Sequence, residues 1–214
     1  MVEHIRVRRR FFIKIAVIVA VMFAAGLALG FVFDSFRTAF LNEEMITANV
    51  DTESFVVSQA YIANNPDYCK LIPPYLEKIS ENVEQLGKDL SALGSKMIFV
   101  NSTFMDRRYF LYEIRLWMTV EEYKVRCNAS IDTILFFYGD DSDASYRQGL
   151  VLTALKEELK EKVMIFSFMH KFKEPALKLV EENYNVTQIP TIVVNGKVYR
   201  EFVEKNDLEA MLSA

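Results

Sequence analysis

The side chains with chemical potential in this chain are few, and their spacing narrows what they can do. Ser142 and Ser145 lie in the run Gly139-Asp-Asp-Ser-Asp-Ala-Ser145, after the strand-like Ile134-Leu-Phe-Phe-Tyr138 and before a helical pattern. Thiols in those two places, at the start of a helix, would form a redox pair, because the helix dipole lowers a thiol pKa there. A hydroxyl cannot supply an anion at neutral pH without a base, and it forms no disulfide. Asp140, Asp141 and Asp143 crowd the same turn, and their charge would raise the pKa of any neighbouring acid. Clustered carboxylates are also what calcium needs, but helix N-capping and solvated loop charge explain them more simply.

The two cysteines, Cys69 and Cys127, are the only sulfurs able to exchange disulfides. They fall just before a second helix and just after a third, and two antiparallel helices would bring those ends together. The expectation is a disulfide, stabilising by about 4 kcal/mol through the long loop it closes. The alternatives are two separate buried thiols, or a relay serving a divergent thiol-disulfide oxidoreductase. The histidines are His4 and His170, and neither belongs to a cluster with zinc-ligand spacing. Ser142, His170 and an aspartate match a hydrolase triad in composition only, without a GxSxG turn. No Walker-type loop is present, so neither a metal nor a cofactor is expected. Trp117 and the phenylalanines read as core.

The elements that must carry these residues begin with a membrane anchor. The chain has 214 residues and a net charge of −4. Of its 25 basic and 29 acidic side chains, Arg6, Arg8, Arg9, Arg10, Lys14 and Glu3 fall in residues 1–14, leaving 20 basic and 28 acidic beyond them. So acidic a remainder repels phosphate and argues against nucleic-acid binding. Ile15 to Phe33 carries no charge and as a helix spans roughly 28 Å, about the hydrocarbon thickness of a bilayer. The basic tip predicts a cytoplasmic N-terminus and an outer location for everything after Phe33, where disulfides persist. A cleaved signal peptide would have a shorter apolar region and a small-residue cleavage site, which Gly30-Phe-Val-Phe33 does not provide. Gly26 and Gly30 form a GxxxG that could dock a second copy in lipid. Asn101-Ser-Thr, Asn128-Ala-Ser and Asn185-Val-Thr are glycosylation sequons.

Beyond the anchor, residues 34–130 read as all-α. Helical periodicity runs to about Ala63 and breaks at Asn64-Asn-Pro66. A second helix is expected to start at Pro73-Pro74, with an apolar stripe of Tyr75, Leu76, Ile79, Val83, Leu86 and Leu90, and to end at Gly94. A third runs from Ser102 to Arg126, with Phe104, Phe110, Leu111, Ile114, Trp117, Met118 and Val125 facing inward. From 131 to 214 the pattern becomes βαβαββα. Strands are expected at 134–138, 163–169, 191–194 and 197–203, with an Asn195-Gly196 hairpin. Helices are expected at 149–160, from Glu174-Pro175 to Asn183, and after a cap at Asn206 or Asp207.

Residues 131–214 resemble the thioredoxin-like superfamily. The resemblance rests on Ile189-Pro190-Thr191 before a buried strand, on Asn195-Gly196-Lys197, and on the order of elements. The layout of span, helical stretch and domain is similar to archaeal membrane-anchored thioredoxin-like proteins, where a Gln-Gly such as Gln148-Gly149 follows the Cys-x-x-Cys. In that register Ser142 and Ser145 hold the two cysteine positions. The resemblance implies a cis bond at Pro190, a peptide-binding role for Ile189, Pro190 and Thr191, and a protein or peptide partner. The expected function is a membrane-anchored, extracytoplasmic binding or adaptor module without redox activity.

Overall fold

The computed structural model describes residues 2–93 and 102–212. The chain divides into two compact units, Met1–Asn65 and Pro66–Ala214. The expected end of the second helix at Gly94, the sequon at Asn101 and the side chain of Phe104 lie outside the described residues.

The first unit is one helix, α1 (Val2–Ala63). Within it Phe11–Phe36 is long and apolar enough to cross a membrane, and its side chains are exposed. That segment is wider than the uncharged core at 15–33 and takes in Lys14 and Asp34.

The second unit opens with two long helices, α2 (Tyr68–Leu93) and α3 (Ser102–Cys127). Here the structure corrects the sequence reading. Helix α2 begins five residues before Pro73, so both prolines lie inside it. Each proline removes an amide from the ladder, which deprives the carbonyls of Cys69 and Lys70 of a helical donor. Both residues are exposed, at the solvent-facing start of the helix. The earlier start lengthens the buried stripe backwards to Tyr68 and Ile72, which join Leu76, Ile79 and Val83. The inward face of α3 is also different. Met118 and Val125 are exposed, while Glu113, Leu116, Thr119 and Val120 are buried beside Phe110 and Ile114. The helix is covered on two sides, by α2 and by the sheet with α5, so its buried surface is wider than one stripe.

The sheet has four strands in the order β2-β1-β3-β4. They are β1 (Asp132–Tyr138), β2 (Val163–Met169), β3 (Thr191–Val194) and β4 (Lys197–Tyr199). β1 pairs parallel with β2 and antiparallel with β3. Asn195 and Gly196 have φ of 46° and 84°, the left-handed conformation that a two-residue hairpin requires. β4 stops at Tyr199, short of the Val203 expected.

Three further helices complete the unit: α4 (Asp143–Leu159), α5 (Pro175–Asn183) and α6 (Lys205–Leu212). α4 begins six residues earlier than its apolar pattern suggested, and α6 begins ahead of Asn206 and Asp207. Alternate residues of β1 separate two cores. Ile134 and Phe136 pack with Leu152 and Leu155 of α4 and Leu208 of α6. On the opposite face Phe137 stacks on Phe168, which meets Phe110 of α3 with ring centroids 6.3 Å apart. Asn195 also stitches the lower end together. Its Oδ1 accepts from the Thr133 amide at 3.0 Å and from Lys124 Nζ at 3.2 Å, so α3, β1 and the hairpin share one polar hub.

Candidate functional site

The turn after β1 is built by the two serines. Ser142 is the N-cap of α4, and its hydroxyl accepts from the Ser145 amide at 3.1 Å. Ser145 is 3% exposed, and its Oγ accepts from the Gly139 amide at 3.2 Å. The cap oxygen therefore comes from Ser142 and not from an aspartate, which corrects the capping role expected of the acids. Asp143 lies in the first turn and pairs with Arg147 at 3.2 Å, while Asp140 and Asp141 stay exposed.

The proline bend lies against this turn. The Ile189–Pro190 peptide is cis. A Cβ at Gly139 would overlap Ile189 Cδ1, so glycine is what lets the bend sit over the turn without displacing that side chain. Thr191 is buried, and its hydroxyl donates to the Gln188 carbonyl at 2.7 Å across the bend. The backbone N–H and C=O of Ile189 have no hydrogen-bond partner among the described residues. Ser142, Ser145, Gly139 and Ile189 thus form one constellation at the C-terminal end of β1.

Its electrostatics are acidic. Burial and the charge of Asp140 raise the pKa of Asp106, at the start of α3. Burial first, then Asp140, Asp106 and Glu113, push Tyr138 up to about 12. A site with this field disfavours any anionic nucleophile. His170 Nδ1 lies 2.8 Å from Glu181 Oε1, and no hydrogen bond joins His170 to Ser142 among the described residues.

The cysteines are elsewhere. Cys69 and Cys127 form a disulfide with Cα atoms 5.6 Å apart. Both lie inside helices rather than flanking them, at the second residue of α2 and the last of α3. The end of α3 is held to the start of β1 through Lys124 and Thr133, at 3.2 Å. The serines follow the other end of that strand, about 20 Å away at 3.3 Å per residue.

Sequence reasoning missed two features. Gln148 is fully buried, donates to the Val203 carbonyl at 3.1 Å and accepts the Val203 amide at 2.8 Å. This bidentate clamp fixes α4 to the segment leading into α6, and the signal for it was a lone amide on an apolar helix face. A cavity of about 640 Å³ also opens between α4 and the sheet, reaching from Ser142 and Ser145 along Tyr146, Leu150, Ile165 and Ser167.

No family model and no curated protein matches the sequence. Among solved structures, a malarial protein overlaps 39% of this chain and 94% of its own, at 17% identity and a TM-score of 0.35. Thioredoxin-2, described as a component of malaria parasite protein secretion machinery, covers 39% of this chain and 82% of its own, also at 17% and 0.35. A thioredoxin-like protein from Clostridium perfringens covers 39% and 70%, at 23% identity and a TM-score of 0.34.

Proposed function

We propose that residues 131–214 are a thioredoxin-like domain that binds extended segments of other proteins and carries out no thiol chemistry of its own. The sheet order, the helices on both faces and the cis peptide ahead of an antiparallel strand support that fold. One observation carries the functional reading: both hydroxyls at the start of α4 are spent on the turn, beside a bend whose Ile189 backbone groups are unpaired. Free backbone groups at a half-buried bend such as Ile189 can accept an extended chain as an added strand. In this reading α1 anchors the domain in the cell membrane in a single pass, with the basic tip in the cytoplasm and the domain outside. Gly26 and Gly30 offer a face for pairing two anchors.

The competing reading is an oxidoreductase using Cys69 and Cys127. Thiol-disulfide exchange needs direct sulfur-to-sulfur attack, and this pair lies at the end of β1 away from the bend. The test is twofold. Native membranes are crosslinked and purified through the intact protein and through Pro190→Ala, and the captured chains are compared. Partners lost with Pro190→Ala support the bend as the binding element. Reduction of insulin by the intact protein, abolished by Cys69→Ser, would instead establish the oxidoreductase.

A further inference from the structure

Of the three sequons, Asn128-Ala-Ser130 falls in the connection between α3 and β1. Asn128 is the first residue past the end of the helix, and Asn128 and Ser130 are both exposed. The backbone at Asn128 is left-handed, with φ of 52°. Helices commonly stop on such a residue, and asparagine is one of the few that adopt it. A helix stop therefore accounts for Asn128, but it makes no demand two residues later. The carboxamide of Asn128 and the hydroxyl of Ser130 make no hydrogen bond among the described residues, and neither do the backbone groups of Ala129 and Ser130. Amide, hydroxyl and the chain between them are all open to an outside molecule.

The sequon Asn185-Val-Thr187 differs in one respect. Asn185 and Thr187 are exposed, and Asn185 is left-handed with φ of 49°. Its backbone, however, is tied down. The Asn185 amide donates to the Glu182 carbonyl at 3.2 Å, and the Val186 amide donates to the Glu181 carbonyl at 2.9 Å. The Asn185 carbonyl accepts from Arg200 at 3.3 and 3.2 Å. An enzyme taking hold of this segment would first have to break those bonds.

We propose that Asn128 is an N-glycosylation site, which accepts its glycan from a polyisoprenyl-phosphate-linked oligosaccharide on the outer side of the membrane. Nδ2 of Asn128 bonds to C1 of the first sugar as the bond from C1 to the phosphate oxygen breaks. The phosphate leaves on the lipid, the amide gives up one proton to solvent, and no electron is exchanged. The foot of β1 carries the glycan, at the opposite end of that strand from the bend, so Ile189 stays open to a partner. The site rests on the outward-facing reading proposed above, because a glycosyltransferase would be met on that side.

The full chain is purified from the membranes in which it is naturally made, reduced, alkylated and cut with trypsin, which separates the two sequons into residues 127–147 and 179–197. Mass spectrometry should find the first carrying a series of whole saccharide units and the second bare. Asn128→Gln and Ser130→Ala should each abolish the added mass. Ser130→Ala leaves the left-handed residue in place, so it decides where Asn128→Gln fails to fold. Saccharide retained by Ser130→Ala is attached by other chemistry and overturns the proposal. So does a bare 127–147 segment, or modification at Asn185 alone. A membrane-impermeant amine reagent on intact cells tests the location separately, through the exposed Lys171 and Lys173. Labelled lysines with a bare Asn128 overturn the site and leave the outward-facing reading standing. Unlabelled lysines with a bare Asn128 overturn both.

Discussion

Replacing Glu113 with glutamine should remove a pH dependence from the stability of the second unit. Glu113 sits on α3, 6% exposed, and its Oε2 has no hydrogen-bond partner. Burial raises its pKa from 4.5 to about 7, against a smaller opposing effect from the Tyr109 hydroxyl. The carboxyl is therefore neutral in much of the acid range where an exposed glutamate is ionised. As pH rises past 4.5 the unfolded chain loses this proton first, and the folded chain keeps it until about 7. Stability is thus complete below the unfolded pKa and drains away as pH climbs to the folded one. One pKa unit is worth about 1.4 kcal/mol, so the loss across the window is about 3 kcal/mol. Tyr109 and Tyr138, the nearest titratable neighbours, have pKa values raised by burial and stay protonated throughout. Urea unfolding of the full chain in micelles, followed by Trp117 fluorescence from about pH 4.5 to 8, measures the effect. Other carboxylates move both proteins alike, so the difference between wild type and Glu113→Gln isolates the group. That difference should shift against the wild type by about 3 kcal/mol as pH rises. A constant difference, or one moving in favour of the wild type, would show Glu113 ionised and paired in the fold and refute the reasoning.

Three other outcomes follow from the same geometry. Cys69→Ser should cost about 4 kcal/mol, because the bridge closes a loop with a sequence separation of 58, and thiol titration of the unreduced, unfolded wild type should find no free thiol. Gln148→Leu removes both partners of the Val203 backbone and leaves them buried, at about 2–5 kcal/mol; hydrogen exchange at the Val203 amide should quicken before the global transition is reached. Ser142→Cys with Ser145→Cys should give a protein that forms a second disulfide when a mild oxidant takes up two electrons, detected by mass spectrometry as two further hydrogen atoms lost. Two thiols that never pair would mean that the serines do not occupy sulfur-compatible positions.

The strands and the bend were legible because their signals are local. Val163–Met169 and Thr191–Val194 are short apolar runs bounded by turn residues, and Asn195-Gly196 dictates its own turn. What escaped was decided by contacts distant in sequence. Proline favours a first turn, which points to a start of α2 at Pro73, yet Tyr68 lies under the Arg126 guanidinium of α3 and Ile72 is buried, and both sit ahead of the prolines. Glu113 and Thr119 carry no sequence signal for burial, because polar residues usually face water, and a helix covered on two sides accommodates them. In sequence Ser142 stands out for the chemistry it lacks, while in the fold its hydroxyl does the capping expected of the aspartates. The groove beside β2 leaves no trace in the sequence, because which strand lies outermost is a property of topology.

The positions of sulfur and hydroxyl within the second unit constrain its chemistry more than either does alone. Arg107, near the start of α3, pairs with Glu174, the buried cap of α5, at the end of the sheet that carries the serines. The other end of α3 carries Cys127, locked to α2, and Lys124, bonded to the foot of β1. The helix is therefore fastened at both ends, and it holds the disulfide a strand's length, about 20 Å, from the bend. A relay between them would have to detach α3 from Phe168 and Phe172, against which Phe110 packs at 6.3 and 4.9 Å. Exposing that aromatic cluster would cost several kcal/mol at about 25 cal/mol per Å² of apolar surface. The bridge is thus a staple for the helix pair that backs the sheet, and the opposite end of β1 carries the bend at Ile189 with its unpaired backbone groups.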